Sequence, residues 1–501
     1  MNKQTPVFVF KSLNVVRGGL TKAVLTRANT LIKHFDEVIF LTLAFQADYK
    51  EIIKELYDSG KLDPRVKVVN FFDDTASDVE GELKVGPETS DTKEEGFYEF
   101  LDKDQELPSY RYYKNGKYVK YKRFDNDGKL LFVDYMNETR NRTQRDEYDK
   151  EGFLVSSQFM DLNLNTPRLK SYYAKNGECY LSIWMDEKTK KEGRTLLFGE
   201  NHKEYSSLYK LFTSWVDNKV KTIQNPVVFS DSRFSDGLVL GLKTKGLKKV
   251  AVLHNNHYAS PYNTTAEIKK TWTTFFNGIE KFDRVVFLTH DQKNDVSALF
   301  GDLPSYRVIP HAVPEIKAEE TKVNYDPHLA VCLARYESQK RLDEAIRAFK
   351  YVARKIPDAK LHIYGFGPQK PKLESLISEL GLQENIKLKA FTSNPTLTYQ
   401  KAACSILTSD YEGFGMIITE SMAAGTPVVS YDCKYGPRDI IRDEVDGYVV
   451  PKGRQRKLAK RIIAIFNDQA LRNKLSDKAV EVKTRFSFSN YEKQWVEIIE
   501  D

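Results

Sequence analysis

Glu412 and Glu420 bracket a short segment, Gly413-Phe414-Gly415-Met416-Ile417-Ile418-Thr419, that follows the apolar run Cys404 to Leu407. A strand that ends in a glycine-rich turn and opens a helix brings backbone amides close to a bound anion or sugar. Glu412 then sits in the loop at the carboxyl end of the strand, and Glu420 sits within the helix. Either glutamate alone reads as a solvated side chain. Together with the glycines and the downstream Ala423-Ala424-Gly425-Thr426-Pro427-Val428-Val429, they read as a binding segment. A second cluster, Leu333-Ala334-Arg335-Tyr336-Glu337-Ser338-Gln339-Lys340-Arg341, also follows a strand pattern. Arg335 offers a planar two-pronged donor and Lys340 a point charge, a set suited to the charge that builds on a departing diphosphate.

Three weaker signals accompany them. Arg17-Gly18-Gly19-Leu20-Thr21 opens the first helix of the chain, where amides at Gly18 and Gly19 can face a phosphate or an acceptor. His254, in Val252-Leu253-His254-Asn255-Asn256-His257-Tyr258, ends a strand and is evenly balanced between ligand contact and a structural role; His257 carries less. Tyr364-Gly365-Phe366-Gly367 is a further strand-end turn that can line a base or phosphate.

Elements that position these residues follow from periodicity. Val7 to Phe10, Val38 to Leu43 and Lys67 to Phe71 read as strands, and Leu20 to His34 and Asp48 to Ser59 as helices. The rhythm stops near Asp73, and Asp74 to Leu107 is acidic and poor in pattern. Hairpin signals follow at Asn115-Gly116, Asp127-Gly128, Glu151-Gly152 and Asn176-Gly177, spaced by about twelve residues or a doubling of that, as in a β-meander with a weak repeat. Asp125-Asn126-Asp127 reads as a turn rather than a metal-binding triplet. Strands return at Val227 to Ser230, Lys249 to Leu253 and Arg284 to Leu288, and Pro310 to Pro314 marks a hinge. A second α/β set runs through strand Leu329 to Leu333, helix Leu342 to Lys355, strand Lys360 to Tyr364, helix Pro371 to Leu380 and strand Ile386 to Lys389. It continues with helix Asn394 to Ala403, strand Cys404 to Leu407, helix Gly415 to Ala424 and strand Pro427 to Ser430. A last helix near Asn490 to Ile499 carries Trp495.

The expected fold is α/β, with two Rossmann-like domains facing a cleft and a β-meander insert in the first. The expected division is 1–73 and 205–312 for the first domain and 74–204 for the insert. The second domain takes 313–485, and a terminal helix at 486–501 packs back on the first. The length of 501 residues requires more than one domain, and 41% hydrophobic residues suffice for ordinary cores. No apolar run reaches the length of a membrane span, and Met1 to Phe10 lacks a signal-peptide cleavage site. Four scattered cysteines read as idle thiols in a reducing cytosol. A net charge of +7 permits a polyanionic partner without demanding one, and no nucleic-acid-binding signature is present. Tyrosines crowd between Tyr110 and Tyr180, interleaved with Arg111, Lys114, Lys117, Lys120, Lys122 and Arg123. That surface suits a chain of phosphates and hydroxyls, or an ordinary exposed meander, or an open edge for self-association.

With Gly18-Gly19, His254, Arg335, Lys340, Glu412, Glu420 and Tyr435-Gly436-Pro437, the chain resembles glycosyltransferase family 4, whose fold is GT-B. The interrupted first domain is similar to that of the wall teichoic acid α-glycosyltransferases. The resemblance implies a retaining enzyme that moves α-glucose from UDP-glucose to glycerol hydroxyls of poly(glycerol phosphate). Arg335 and Lys340 would hold the donor diphosphate, and Glu420 the ribose. Glu412 would meet the hexose near its 3-OH and His254 its 6-OH region. The Gly18-Gly19 loop would close over the phosphates, Gly365 would line the base or phosphate, Gly415, Met416 and Ile417 would bind the donor, and Phe391-Thr392 would lie near the base. His311 stands where a related enzyme carries Asn. The resemblance further implies no metal, no cofactor beyond the donor, a homotrimer assembled through the insert, and a cytoplasmic site with at most peripheral membrane association at the inner face. Two rival readings are a protein O-glycosyltransferase acting from UDP-GlcNAc on serine-rich adhesins and a non-catalytic GT-B binding partner.

Overall fold

The structure, a computed structural model, describes residues 4–15, 18–79, 81–82, 91–200, 202–313 and 323–501. Arg17 and Pro314 lie outside the described residues. The chain divides into two compact units. One comprises residues 1–17, 35–228 and 237–247; the other comprises 18–34, 229–236 and 248–501.

In the first unit, strands Thr5–Phe10, Ile39–Thr42 and Lys67–Asn70 pair in parallel, with Val7 opposite Ile39 and Ile39 opposite Lys67. The first two are buried along their whole length, which is why they read as continuous apolar runs rather than alternations. The α/β pattern outlasts its expected end near Asp73. A helix Phe71–Ser77 follows, and the Asn70 side chain accepts from the Phe72 amide at its N-terminus. Seven residues are too few to show a helical period in sequence.

Ten antiparallel strands then run in chain order from Tyr98–Leu101 to Lys203–Tyr205. The expected turns hold positive φ at Gly116, Gly128, Gly152 and Gly177. Three further turns place positive φ on Arg140 (64°), Asn165 (50°) and Lys190 (57°). Arg140 and Asn165 fill the two doubled spacings of the repeat. The Asp125 carboxylate accepts the amides of Asp127 (3.0 Å) and Lys129 (2.8 Å), so the acidic triplet is a hairpin turn. The edge strand Tyr98–Leu101 lies in the stretch expected to be patternless; it exposes Tyr98, Phe100 and Leu101.

The basic residues of the meander are largely engaged within it. Arg111 pairs with Asp102, Lys117 with Glu138, and Lys120 and Lys122 with Glu94. Arg123 donates to Ser109 and Gln105, and Lys114 lies over the Phe97 ring. Four of these six cations thus face carboxylates, which weakens the field they present to a polyanion.

An aromatic cluster fixes the meander to the α/β part of this unit. Phe72 meets Tyr172 at 4.8 Å, Phe45 at 5.3 Å and Phe71 at 5.0 Å between ring centres. Trp215 donates to Asp74 at 2.8 Å beneath it.

Strand Pro226–Ser230 carries the chain from the first unit into the second. There Lys248–Leu253, Arg284–Phe287 and Tyr306–Val308 pair in parallel. A second, six-stranded parallel sheet has the order Ile386–Lys389, Lys360–Tyr364, Asp326–Leu333, Ala402–Leu407, Val428–Asp432, Gly447–Pro451. Its core includes Cys332, Ile346, Phe349, Ile363, Ile406, Val429 and Ile462. The expected helix Asn394 to Ala403 stops at Gln400, because Ala402–Leu407 is a strand buried throughout. The pattern also runs past Ser430, into strand Gly447–Pro451 and helices Gln455–Asn467 and Gln469–Ala479. The four cysteines are free thiols. The last helix, Phe488–Glu500, packs on helix Gly19–Leu31 through Trp495, whose ring lies 4.4 Å from the Arg27 guanidinium. Among the described residues no helix is long and apolar enough to cross a membrane.

Phe72→Ala removes the centre of the aromatic cluster and should cost about 3–4 kcal/mol in a urea titration, as for other buried Phe truncations.

Candidate functional site

The second unit gathers its chemistry at the carboxyl ends of parallel strands, where ligands of such sheets bind. Arg335 follows Asp326–Leu333, Gly365 and Phe366 follow Lys360–Tyr364, and Phe391 and Thr392 follow Ile386–Lys389. Glu412 follows Ala402–Leu407, Tyr435 and Gly436 follow Val428–Asp432, and His254 follows Lys248–Leu253.

Glu412 is the focus. Its carboxylate accepts from Lys340 Nζ at 2.6 Å and from the Ser409 hydroxyl, and both members of the ion pair are largely buried. The two loops that carry them are stitched together. Asp410 N donates to the Gln339 carbonyl at 2.8 Å, Gln339 Nε2 to the Tyr411 carbonyl at 2.8 Å, and Thr408 Oγ1 to the Arg341 carbonyl at 2.9 Å. A third loop backs them, with Glu412 N bonded to Lys434 O and Tyr435 N to Glu412 O. Two glycines permit this approach. A Cβ on Gly413 would overlap the His254 carbonyl, and one on Gly436, at φ +112°, would overlap that of Phe414. Arg335 is exposed and faces no carboxylate among the described residues. Its charge is thus open to an anion beside Lys340.

His254 stands at the end of a buried relay. Its Nε2 lies 2.7 Å from Asp231 Oδ1, and the other Asp231 oxygen accepts from Arg27. Arg27 in turn lies over Phe229 and Trp495. Burial alone would raise the Asp231 pKa, but Arg27 and His254 outweigh it and hold the carboxyl below its usual range. An ionised Asp231 takes the Nε2 proton as an acceptor. Burial lowers the His254 pKa against the pull of Asp231, which favours the neutral ring. Nδ1 is then an acceptor, and it is buried with no hydrogen-bond partner among the described residues. His311 stacks on His254 at 5.7 Å and is pushed down to about 3 by burial and by the charges of its neighbours. His257, whose ring stacks on Tyr435 at 5.9 Å, lies in the packing rather than at the relay.

Gly415 takes a left-handed φ of 89° and precedes helix Met416–Ala423, whose first residues are Met416 and Ile417. Glu420, on that helix, bonds Lys22 at 2.9 Å. Lys22 belongs to helix Gly19–Leu31, which Gly18 precedes as N-cap. Lys22, Thr26, His311, Met416, Thr419 and Glu420 line part of a cavity of about 390 Å3. Phe366 and Phe391 are well exposed, 6.4 Å apart edge to face, and can stack on a flat ring. Thr392 Oγ1 lies 3.0 Å from Thr398 Oγ1.

Arg27, Asp231, Ser409 and Lys22 were not identified from sequence. Asp231 ends a strand as His254 does, and that shared position is the signal that finds it. Arg27 reads as one more residue on a helix and has no such mark.

Residues 314–482 match the family described as glycosyl transferases group 1, and residues 7–196 match glycosyl transferase 1 domain A. The chain is 30% identical over 501 aligned residues to the poly(glycerol-phosphate) alpha-glucosyltransferase of Bacillus subtilis (strain 168), covering 95% of this chain and 72% of that protein. It is 24% identical to the poly(ribitol-phosphate) alpha-N-acetylglucosaminyltransferase of Staphylococcus aureus (strain COL), over 97% of both chains. Among solved structures, a mutant of S. aureus TarM in complex with Fondaparinux, alpha-GlcNAc-glycerol and UDP superposes with a TM-score of 0.86 at 22% identity, covering 99% of this chain and 100% of that one. The pneumococcal O-GlcNAc transferase GtfA in complex with UDP and GlcNAc superposes with a TM-score of 0.78 at 16% identity, covering 100% and 99%. The fold is GT-B.

Asp231→Asn removes the carboxylate charge that Arg27 and His254 share and frees the His254 tautomer. It should cost about 3–5 kcal/mol in a denaturant titration, the usual effect of breaking a buried pair. Gly413→Ala should abolish activity by forcing the Glu412 loop off His254, as read by any turnover assay.

Proposed function

Because the chain belongs to the group 1 glycosyltransferases, we propose that it transfers glucose from UDP-glucose, with retention, to glycerol hydroxyls of poly(glycerol phosphate), as a member of family 4. The observation that carries this reading is the Lys340–Glu412 pair with an open Arg335 and with His254 held by Asp231. In this reading Arg335 and Lys340 take the donor diphosphate, and the first-turn amides of helix Met416–Ala423 add their dipoles. Protein cations and amides thereby meet the leaving charge in place of a metal. Glu420 exchanges Lys22 for the ribose hydroxyls. Phe391 and Phe366 stack on the base, with Gly365 and Thr392 beside them. When the diphosphate draws Lys340 away, Glu412 accepts from the hexose near its 3-OH, and His254 Nδ1 accepts from its 6-OH.

Glu412 is held by Lys340 and Ser409, an arrangement that suits hydrogen bonding better than nucleophilic attack. The proposed course is front-face transfer, with the leaving phosphate accepting the proton of the attacking hydroxyl. The 30% identity to a poly(glycerol-phosphate) alpha-glucosyltransferase supports both glucose and glycerol phosphate as substrates. The exposed edge strand Tyr98–Leu101 supports assembly through the meander, in this reading as a homotrimer. The proposed place of work is the inner face of the membrane, where association is peripheral.

Glu412→Ala and Lys340→Ala should each lower transfer by about 10²–10³-fold, the usual effect of removing a preorganised electrostatic group. Circular dichroism should show that the fold survives. A screen of UDP-hexoses by calorimetry should rank UDP-glucose first, and glycerol-phosphate polymer should stimulate its turnover where a serine-rich peptide does not.

A further inference from the structure

Four lysines around the Glu412 loop face carboxylates. Lys340 meets Glu412, Lys22 meets Glu420, Lys434 meets Asp291 and Asp295, and Lys452 meets Asp410. A fifth, Lys269, faces none among the described residues. Its Nζ donates to the Asn256 carbonyl at 2.7 Å and lies 4.4 Å from the centre of the Tyr411 ring and 5.5 Å from that of Tyr262. Half-buried without a counter-charge, it has a pKa below its usual value through burial. A cation withdrawn from water and left unneutralised is costly unless something in function meets it.

The setting is built rather than incidental. The rings of Tyr262 and Tyr411 lie 4.3 Å apart and form one platform beneath the ammonium group. Tyr262 holds a left-handed φ of 70°, uncommon for a bulky side chain. The Asn256 side chain fixes that backbone by donating to the Tyr262 carbonyl at 3.0 Å and to the Lys434 carbonyl at 3.2 Å. Tyr411 adjoins Glu412 in sequence, and Asn256 lies two residues after His254. Lys269 thus places a positive charge on the two loops that carry the groups assigned to the hexose, bonded to the backbone of one and over the Tyr411 ring of the other. Arg335, the other open cation of the site among the described residues, is taken by the donor diphosphate in the proposed reaction.

We propose that Lys269, on the Tyr262–Tyr411 platform, binds a phosphodiester of the acceptor next to the unit that receives the sugar. This rests on the acceptor reading above and adds the residue that selects a charged acceptor over a neutral one. Two ammonium protons remain for phosphate oxygens, and the phenol groups can donate as well. Four of the six basic residues of the meander already face carboxylates within it, which favours a group at the reaction centre for this task.

The test compares glycerol-phosphate polymer with uncharged glycerol as acceptors of glucose from UDP-glucose. In Lys269→Gln the ratio of kcat/KM for polymer to that for glycerol should fall ten-fold or more, mainly through KM for polymer. Lys269→Arg should restore most of the ratio, and the polymer KM of Lys269→Gln should depend less on salt. Lys269→Met, which keeps an apolar stem over Tyr411, replaces Lys269→Gln if a thermal melt shows the latter unfolded. If the ratio is unchanged, or both acceptors lose equally, Lys269 only fastens the Asn256 loop and the proposal is overturned. If the wild-type protein turns over UDP-glucose but uses neither acceptor, the acceptor reading itself fails, and the proposal with it.

Discussion

The closest constraint in the second unit is the approach of the Glu412 loop to two other backbones. Gly413 lies against the His254 carbonyl, and Gly436 lies against the Phe414 carbonyl. Neither position has room for a side chain. Because both contacts are backbone to backbone, they set the distance between the strand-end loop that carries His254 and the loops that carry Lys340, Glu412 and Tyr435. The hydrogen bonds among those loops then hold what the glycines allow.

Charge is arranged on the same plan. Each carboxylate of the centre rests on a cation that a ligand can displace or share: Glu412 on Lys340, and Glu420 on Lys22. A partly buried pair of this kind gives little net stability, since desolvation offsets its attraction. It does keep both partners oriented, and in the proposed reaction a diphosphate or a hydroxyl competes for them. The pair behind His254 is different. Arg27 and Asp231 are buried from solvent, and they serve by fixing which ring nitrogen carries the proton.

What the sequence made legible follows from the range of each interaction. The six-stranded sheet was largely readable, since helix Leu342–Lys355 and strands Lys360–Tyr364 and Ile386–Lys389 occur where apolar periodicity places them. The meander was readable wherever glycine marked a turn. It was lost at Arg140, Asn165 and Lys190, where residues without that mark take positive φ. Strand Gly447–Pro451 was missed because it is short and follows a loop with no clear pattern. Among the site candidates, Arg335, Lys340, Glu412 and His254 stand out in sequence because each follows the end of a strand, and Glu420 because it lies on the helix that Gly415 opens. The relay from Arg27 to Asp231 joins residues 204 positions apart, and no local pattern encodes such a contact.

The most direct measurement is a crystal structure with UDP and an uncleavable UDP-glucose analogue. The account places the β-phosphate within ion-pair reach of Arg335 and Lys340, the ribose on Glu420 with Lys22 displaced, and the hexose between Glu412 and His254. A nucleotide bound with its phosphates away from Arg335 and Lys340, or a hexose that touches neither Glu412 nor His254, would contradict it.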